Sequence, residues 1–196
     1  MKKIILAVAL CAASTFTFAQ QGVMEIGGSF GITTDKNETK ADDVTKTNKE
    51  TFGFSIMPSF MYYMTDNLAI GGHIGFNYDK DKVNDSKETT FNIMPTIRYK
   101  KELGANFSWA PEFYIGLGFG NSTQDIDEDT SIDESIFDMN VGIHFARFEY
   151  AVSDKWVLSA NFGKFGYDYR KVEDNKNNSF ALTLFEDSYV GIAYRF

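Results

Sequence analysis

Apolar and polar residues take turns along most of this chain. Leu68, Ile70, Gly72, Ile74, Phe76 and Tyr78 form one face, and Ala69, Gly71, His73, Gly75 and Asn77 the other, which is the two-residue period of a β-strand. The split recurs in Met24, Ile26, Phe30 and Ile32 against Glu25, Gly27, Ser29 and Gly31, and in Phe113, Ile115, Leu117 and Phe119 against Glu112, Tyr114, Gly116, Gly118 and Gly120. Phe137, Met139, Val141, Ile143 and Phe145 against Asp138, Asn140, Gly142, His144 and Ala146 repeat it again. Less regular strands are expected over residues 51–64, 89–99 and 155–167, with a last one ending at Phe196. No stretch has the spacing of a good helix, so the expectation is all-β with eight strands.

Which face meets solvent is decided by glycine. Parity places eleven of the sixteen glycines on the polar face, among them Gly27, Gly71, Gly116, Gly118, Gly120, Gly142 and Gly191. A water-facing surface would carry Lys, Glu and Thr instead. Inside a barrel of about eight strands there is barely room for side chains, so small residues must make way for the few large polar ones. The polar, glycine-rich face therefore lines the interior, and the aromatic and aliphatic face meets lipid. The predicted fold is an eight-stranded antiparallel up-and-down transmembrane β-barrel.

The connections alternate in length. Residues 33–50, 79–88, 121–133 and 170–179 are expected to be long polar loops, 65–67 and 151–154 tight turns, and 100–107 intermediate. With both termini at the short-turn end, the long loops share the opposite rim, an arrangement of short periplasmic turns and extracellular loops. Tyr62, Tyr63, Tyr99, Trp109, Trp156 and Tyr194 fall near the short turns, where amphipathic rings suit the lipid interface. An internal echo, Ser-Ile-Met-Pro-Ser-Phe-Met-Tyr from Ser55 and Asn-Ile-Met-Pro-Thr-Ile-Arg-Tyr from Asn92, recurs at a spacing of 37 residues. Pro58 and Pro95 lack the ladder N–H, so a bulge or register irregularity is expected at each.

Composition agrees with a barrel: aromatic residues are 16% of the chain, yet mean hydropathy is −0.26. Residues 1–19 carry Lys2 and Lys3, an apolar run and the ending Thr-Phe-Ala before Gln20, the pattern of a cleaved secretory signal. The barrel domain is then 20–196, a chain of 177 residues with 17 basic and 27 acidic side chains and no cysteine, Cys11 being lost with the signal. That balance argues against a nucleic-acid partner, and no disulfide or thiolate site is available to it.

Two motifs point to a family. Tyr-Met-Thr-Asp-Asn-Leu-Ala-Ile-Gly-Gly from Tyr63 resembles the first periplasmic turn of the outer-membrane β-barrel domain family, small porin-like barrels of the OmpA, OmpX and OmpW type. The ending Tyr-Val-Gly-Ile-Ala-Tyr-Arg-Phe from Tyr189 resembles the C-terminal assembly signal of outer-membrane proteins. The resemblance implies the outer membrane of a Gram-negative bacterium, with lipid and lipopolysaccharide as surroundings. It also implies that Gly191, Tyr194 and Phe196 are read by the barrel-assembly machinery, although the same residues also continue the final strand. It does not specify an activity.

The interior positions carrying chemistry are Glu25, His73, Arg98, Glu112, Asp138, His144 and Arg195. Two histidines beside carboxylates invite a metal or hydrolase reading, but charges inside a narrow barrel must in any case pair to offset a desolvation cost of several kcal/mol each. An interior polar network is the expectation, with no catalytic residue, metal or cofactor, because no nucleophile, base and orienting group fall together. The acidic stretch 122–134 imitates the opening of a calcium loop with Asp125, Asp127 and Asp129, but Thr130 stands at the glycine position and Ile136 at the terminal acid position. It is expected to form a solvated rim that attracts divalent cations. The function expected is a non-enzymatic barrel with a plugged interior, structural or surface-binding through unidentified loop ligands. A small porin-like channel for ions or for small or hydrophobic solutes is the alternative.

Overall fold

The computed structural model describes residues 21–41, 44–104, 106–127 and 130–196. The expected leader 1–19, with Cys11, lies outside them, as do Glu128 and Asp129 of the acidic stretch. Among the described residues there are eleven strands and no helix: β1 (Met24–Ala41), β2 (Val44–Tyr63), β3 (Leu68–Asp81), β4 (Ser86–Tyr99), β5 (Lys101–Gly104), β6 (Phe107–Trp109), β7 (Glu112–Asp127), β8 (Thr130–His144), β9 (Arg147–Ala151), β10 (Trp156–Val172) and β11 (Asn175–Arg195).

All pairings are antiparallel, and β1, β2, β3, β4, β7, β8, β10 and β11 form a ring of eight in chain order, closed where β11 meets β1. The short β5, β6 and β9 continue β4, β7 and β8 toward the terminal end, where β5 pairs with β6, β6 with β9, and β9 with β10. Each of these three walls is thus one strand with a break, at Lys100, at Ala110-Pro111 and at Phe145-Ala146. The first and last strands meet at one end, Met24 and Phe196 exchanging backbone hydrogen bonds at 3.0 Å in both directions. The 65–67 and 152–155 turns share that end and one design, in which a hydroxyl accepts from a backbone N–H: Leu68 donates to Thr65 and Trp156 to Ser153.

The faces are inverted relative to a water-soluble protein. Phe30 is 60% and Ile32 62% exposed, whereas Glu112 and Asn161 are wholly buried. Interior glycines sit against large neighbours: a Cβ on Gly118 would lie 3.1 Å from Asp138 Cβ, and one on Gly142 2.6 Å from the Tyr114 hydroxyl. Small and large residues therefore interlock across the bore.

Three expectations need correction. The far-end segments expected as loops are mostly ladder: β1–β2 pairing runs on to Ala41↔Val44, β7–β8 to Asp127↔Thr130 and β10–β11 to Val172↔Asn175. With water on both sides a ribbon has no buried face and so no hydrophobic alternation to betray it. Pro58 and Pro95 produce neither a bulge nor a register shift. The β2–β3 and β4–β7 ladders lapse beside them and resume in the same register, so the missing N–H interrupts the pairing without displacing it. Both prolines of the sequence echo face a glycine across the other ladder, Gly28↔Pro58 and Gly72↔Pro95. Finally, Tyr63 is not in the lipid belt but wholly buried inside, whereas Tyr62, Tyr99 and Trp156 are exposed as expected.

Candidate functional site

The strand register brings charges together before any side chain is considered. Glu25↔Arg195 and Arg98↔Glu112 are directly opposed across neighbouring strands, and directly opposed opposite charges attract; His144 stands opposite Glu112 on its other side. All of these residues face inward at the terminal end of the bore. Their side chains cross it. Arg98 Nη1 donates to Glu25 Oε1 and Arg98 Nε to Glu112 Oε1, each at 2.6 Å, and Arg98 Nη1 lies 3.1 Å from Glu149 Oε1. Arg195 Nε donates to Glu25 Oε2 at 3.1 Å and its Nη2 to Glu149 Oε2 at 3.2 Å. Arg147 closes the set, with Nη1 2.6 Å from Glu149 Oε1 and Nε 3.3 Å from Glu112 Oε1.

Three carboxylates and three guanidiniums thus form one lattice, every member under a tenth exposed. Planar forks bridging several carboxylates are what guanidinium geometry allows and an ammonium does not. The Tyr63 hydroxyl accepts a longer contact from Arg195 at 3.4 Å, and the Arg195 guanidinium lies 5.6 Å from the Tyr63 ring.

His73 and His144 border the lattice. His73 Nε2 is 3.6 Å and His144 Nδ1 3.8 Å from Glu112 Oε2, both beyond good hydrogen-bond distance. His144 instead stacks on Tyr114 with ring centroids 4.6 Å apart and meets Tyr189 edge-on at 5.8 Å. Above the lattice the bore retains a space of about 20 Å³, lined by Ser29, Ser59, His73, Arg98, Arg147, Ser159 and Tyr189 among others, room for about one water.

Asp138 is interior but stands apart, in a second cluster toward the far end. It is opposite Arg170, with Oδ2 3.7 Å from Nη1, and Arg170 Nη2 donates to Glu88 Oε2 at 2.5 Å. Lys164 and Asp168 pair alongside at 3.3 Å. Two interior residues of the main lattice, Arg147 and Glu149, escape a reading by strict alternation. Counting by twos from His144 turns both toward lipid. The break at Phe145-Ala146 adds the residue that turns them inward, and Trp109 Nε1 donates to the freed Phe145 carbonyl at 2.6 Å. The signal was present in the sequence: Arg and Glu two apart within Phe-Ala-Arg-Phe-Glu-Tyr-Ala cannot face lipid without cost.

At the C-terminus, Gly191, Tyr194 and Phe196 lie on the closing strand. Tyr194 packs edge-on to Trp156 at 5.1 Å and beside Phe196 at 6.4 Å, with Lys155 Nζ 5.9 Å from its ring. Gly191 faces inward beneath Ser159, whose hydroxyl would be 2.8 Å from an added Cβ. Among the described residues no group of three or more His, Cys, Asp or Glu has the arrangement of a metal site.

A closed, inverted eight-strand ring with a polar bore is the architecture of an outer-membrane barrel, and the model of the outer membrane protein beta-barrel domain matches residues 4–196. The chain belongs to that family. Its setting is accordingly the outer membrane of a Gram-negative bacterium. No curated protein sequence matches it significantly. Among solved structures it is similar to Ail, the attachment invasion locus protein of Yersinia pestis, at 14% identity and a TM-score of 0.45, covering 90% of this chain and 99% of that one. Neisserial surface protein A is similar at 14% identity and a TM-score of 0.41, covering 89% and 96%. The outer membrane protein OprG from Pseudomonas aeruginosa is similar at 14% identity and a TM-score of 0.40, covering 92% and 98%.

Proposed function

We propose that this family member is a non-enzymatic barrel whose bore is plugged, and that it acts through its position in the membrane and its far-end ribbons. The observation that carries this reading is the lattice of Glu25, Arg98, Glu112, Arg147, Glu149 and Arg195. It spans the bore from strand to strand with ion pairs as short as 2.6 Å, and the space lined by Ser29, Ser59 and His73 above it has room for about one water. An ion crossing there would have to part several buried pairs at once, at several kcal/mol each. The short turns and both termini are assigned to the periplasm and the charged ribbons to the cell exterior, where lipopolysaccharide and unidentified surface ligands are their partners. The final strand with Gly191, Tyr194 and Phe196 is assigned the role of assembly signal for the barrel-assembly machinery. Proteoliposomes carrying the protein should not swell in isosmotic pentose; swelling at a rate proportional to protein would replace this reading with that of a small channel.

A further inference from the structure

The closing ladder is short. β1 pairs with β11 from Glu25↔Arg195 to Ser29↔Gly191 and no further, although β1 continues to Ala41 and β11 reaches back to Asn175. Beyond that level each is paired, among the described residues, only with its other neighbour. The ladder stops where β11 makes an excursion, using five steps from Leu184 to Tyr189 where β10 uses two from Gly163 to Asn161. Phe185 stands in this excursion at a φ of 68°, a costly conformation for an aromatic residue. Below it the wall is sealed, and above it β1 and β11 are two strand edges with no ladder between them.

The phase of each ladder shows which backbone groups these edges present. Met24 and Phe196 exchange hydrogen bonds, and the Tyr63 N–H donates to the Val23 carbonyl. Even-numbered residues at this end of β1 therefore address β11 and odd-numbered ones β2. Ile32 thus turns its N–H and C=O toward a strand that does not pair with it. On β11 the two-residue turn between Val172 and Asn175 sets the phase: odd-numbered residues address β10, so Phe180 and Leu182 address the side of β1. Both edges lie within the lipid-facing band, with Ile32 beside Phe54 of β2 and Leu182 beside Phe165 of β10. Side-chain exposure registers the missing neighbour: Phe180 is 68% and Leu182 64% exposed, against 41% for Phe165 one strand further in. Backbone groups left unpaired in hydrocarbon are costly.

We propose that two copies of this barrel associate in the membrane about a two-fold axis along its normal, the β1 edge of each pairing antiparallel with the β11 edge of the other. The setting selects this occupant. Lipid tails carry no hydrogen-bonding groups, so the partner that covers these edges within the hydrocarbon must itself bring an unpaired strand edge to that depth. A second copy does so by symmetry. β1 and β11 already run antiparallel in the closing ladder, and a two-fold rotation about the normal keeps both directions while exchanging the sides. Both contacts then form at once and the pair is closed, with no edge left to recruit a third copy. The contact involves the wall and not the bore, so it stands independently of the plug.

Residues 20–196 contain no cysteine, so single thiols can be placed at will. Ile32→Cys on a chain with one tag is produced together with Phe180→Cys, Leu182→Cys or Leu184→Cys, in turn, on a chain with another tag. The outer membranes are treated with a short bifunctional maleimide. At least one of the three combinations should convert most of the protein to a dimer carrying both tags. Ile74→Cys with Ile93→Cys, on the wall formed by β3 and β4, should give little and measures chance collision. Folding of each variant is checked by its heat-dependent gel shift, and three positions on β11 keep the outcome from resting on one variant. Monomers only, cross-linking to other proteins in place of the second tag, or equal cross-linking of the β3–β4 pair would overturn the proposal. So would Ile32→Cys cross-linking to itself as well as to β11, since that would put β1 against β1.

Discussion

Arg98 touches three carboxylates, Glu25, Glu112 and Glu149, and is 1% exposed. Its removal leaves buried anions with too few counter-charges. Arg98→Ala should therefore lower stability by about 3–5 kcal/mol, read as a shift in the urea midpoint of gel mobility. Asp138→Asn should cost about 1 kcal/mol or less, because Arg170 opposite is 39% exposed and water shares the work. Outside the membrane, the Lys82 ammonium, 2.6 Å away, holds the Glu50 carboxyl below its usual pKa. A lowered folded-state pKa means that this link stabilises above the ordinary carboxylate range and is lost as pH falls through the lowered value. Lys82→Ala should return the Glu50 titration, followed by carboxyl NMR, toward its ordinary value. At this scale, alternation alone is enough to place Glu25, His73, Arg98, Glu112, His144 and Arg195 on the inner face. It cannot place Arg147 and Glu149, because one residue at the Phe145-Ala146 break reverses every side chain beyond it.

Strands are legible where one face meets lipid and the other a packed bore, since only then does the two-residue period carry free energy. The far-end ribbons have no such asymmetry, and Thr33 to Glu50 reads as a loop although it pairs almost throughout. The prolines mislead for another reason: losing one ladder N–H interrupts pairing locally without shifting it, and the ladders resume in register at Ser59↔His73 and Thr96↔Tyr114. Their glycine partners are the sensitive positions. A Cβ at Gly72 would stand 2.9 Å from the Met94 carbonyl oxygen, so Gly72→Val should destabilise by about 1–3 kcal/mol, measured as the same urea midpoint. At the break in the β8–β9 wall, Trp109→Phe removes the donor to the Phe145 carbonyl and should cost about 1–3 kcal/mol.

For the whole molecule, closure of the ring depends on the shortest of its ladders in the eight-strand circuit, from Glu25↔Arg195 to Ser29↔Gly191, extended by the Met24–Phe196 hydrogen bonds. Phe196→Ala keeps the backbone bonds but removes the last ring of the aromatic row against Tyr194. If the row is an assembly signal, the variant should accumulate unfolded in the periplasm while, once refolded in detergent, its urea midpoint stays close to that of the parent. The shortness of this closing ladder is not legible in the sequence, because β1 and β11 lie at opposite ends of the chain. The plug is the central claim, and conductance across a planar bilayer tests it most directly. Protein shown to be folded by its gel shift should leave the bilayer silent; discrete, reproducible current steps would contradict a bore closed by the Arg98 lattice.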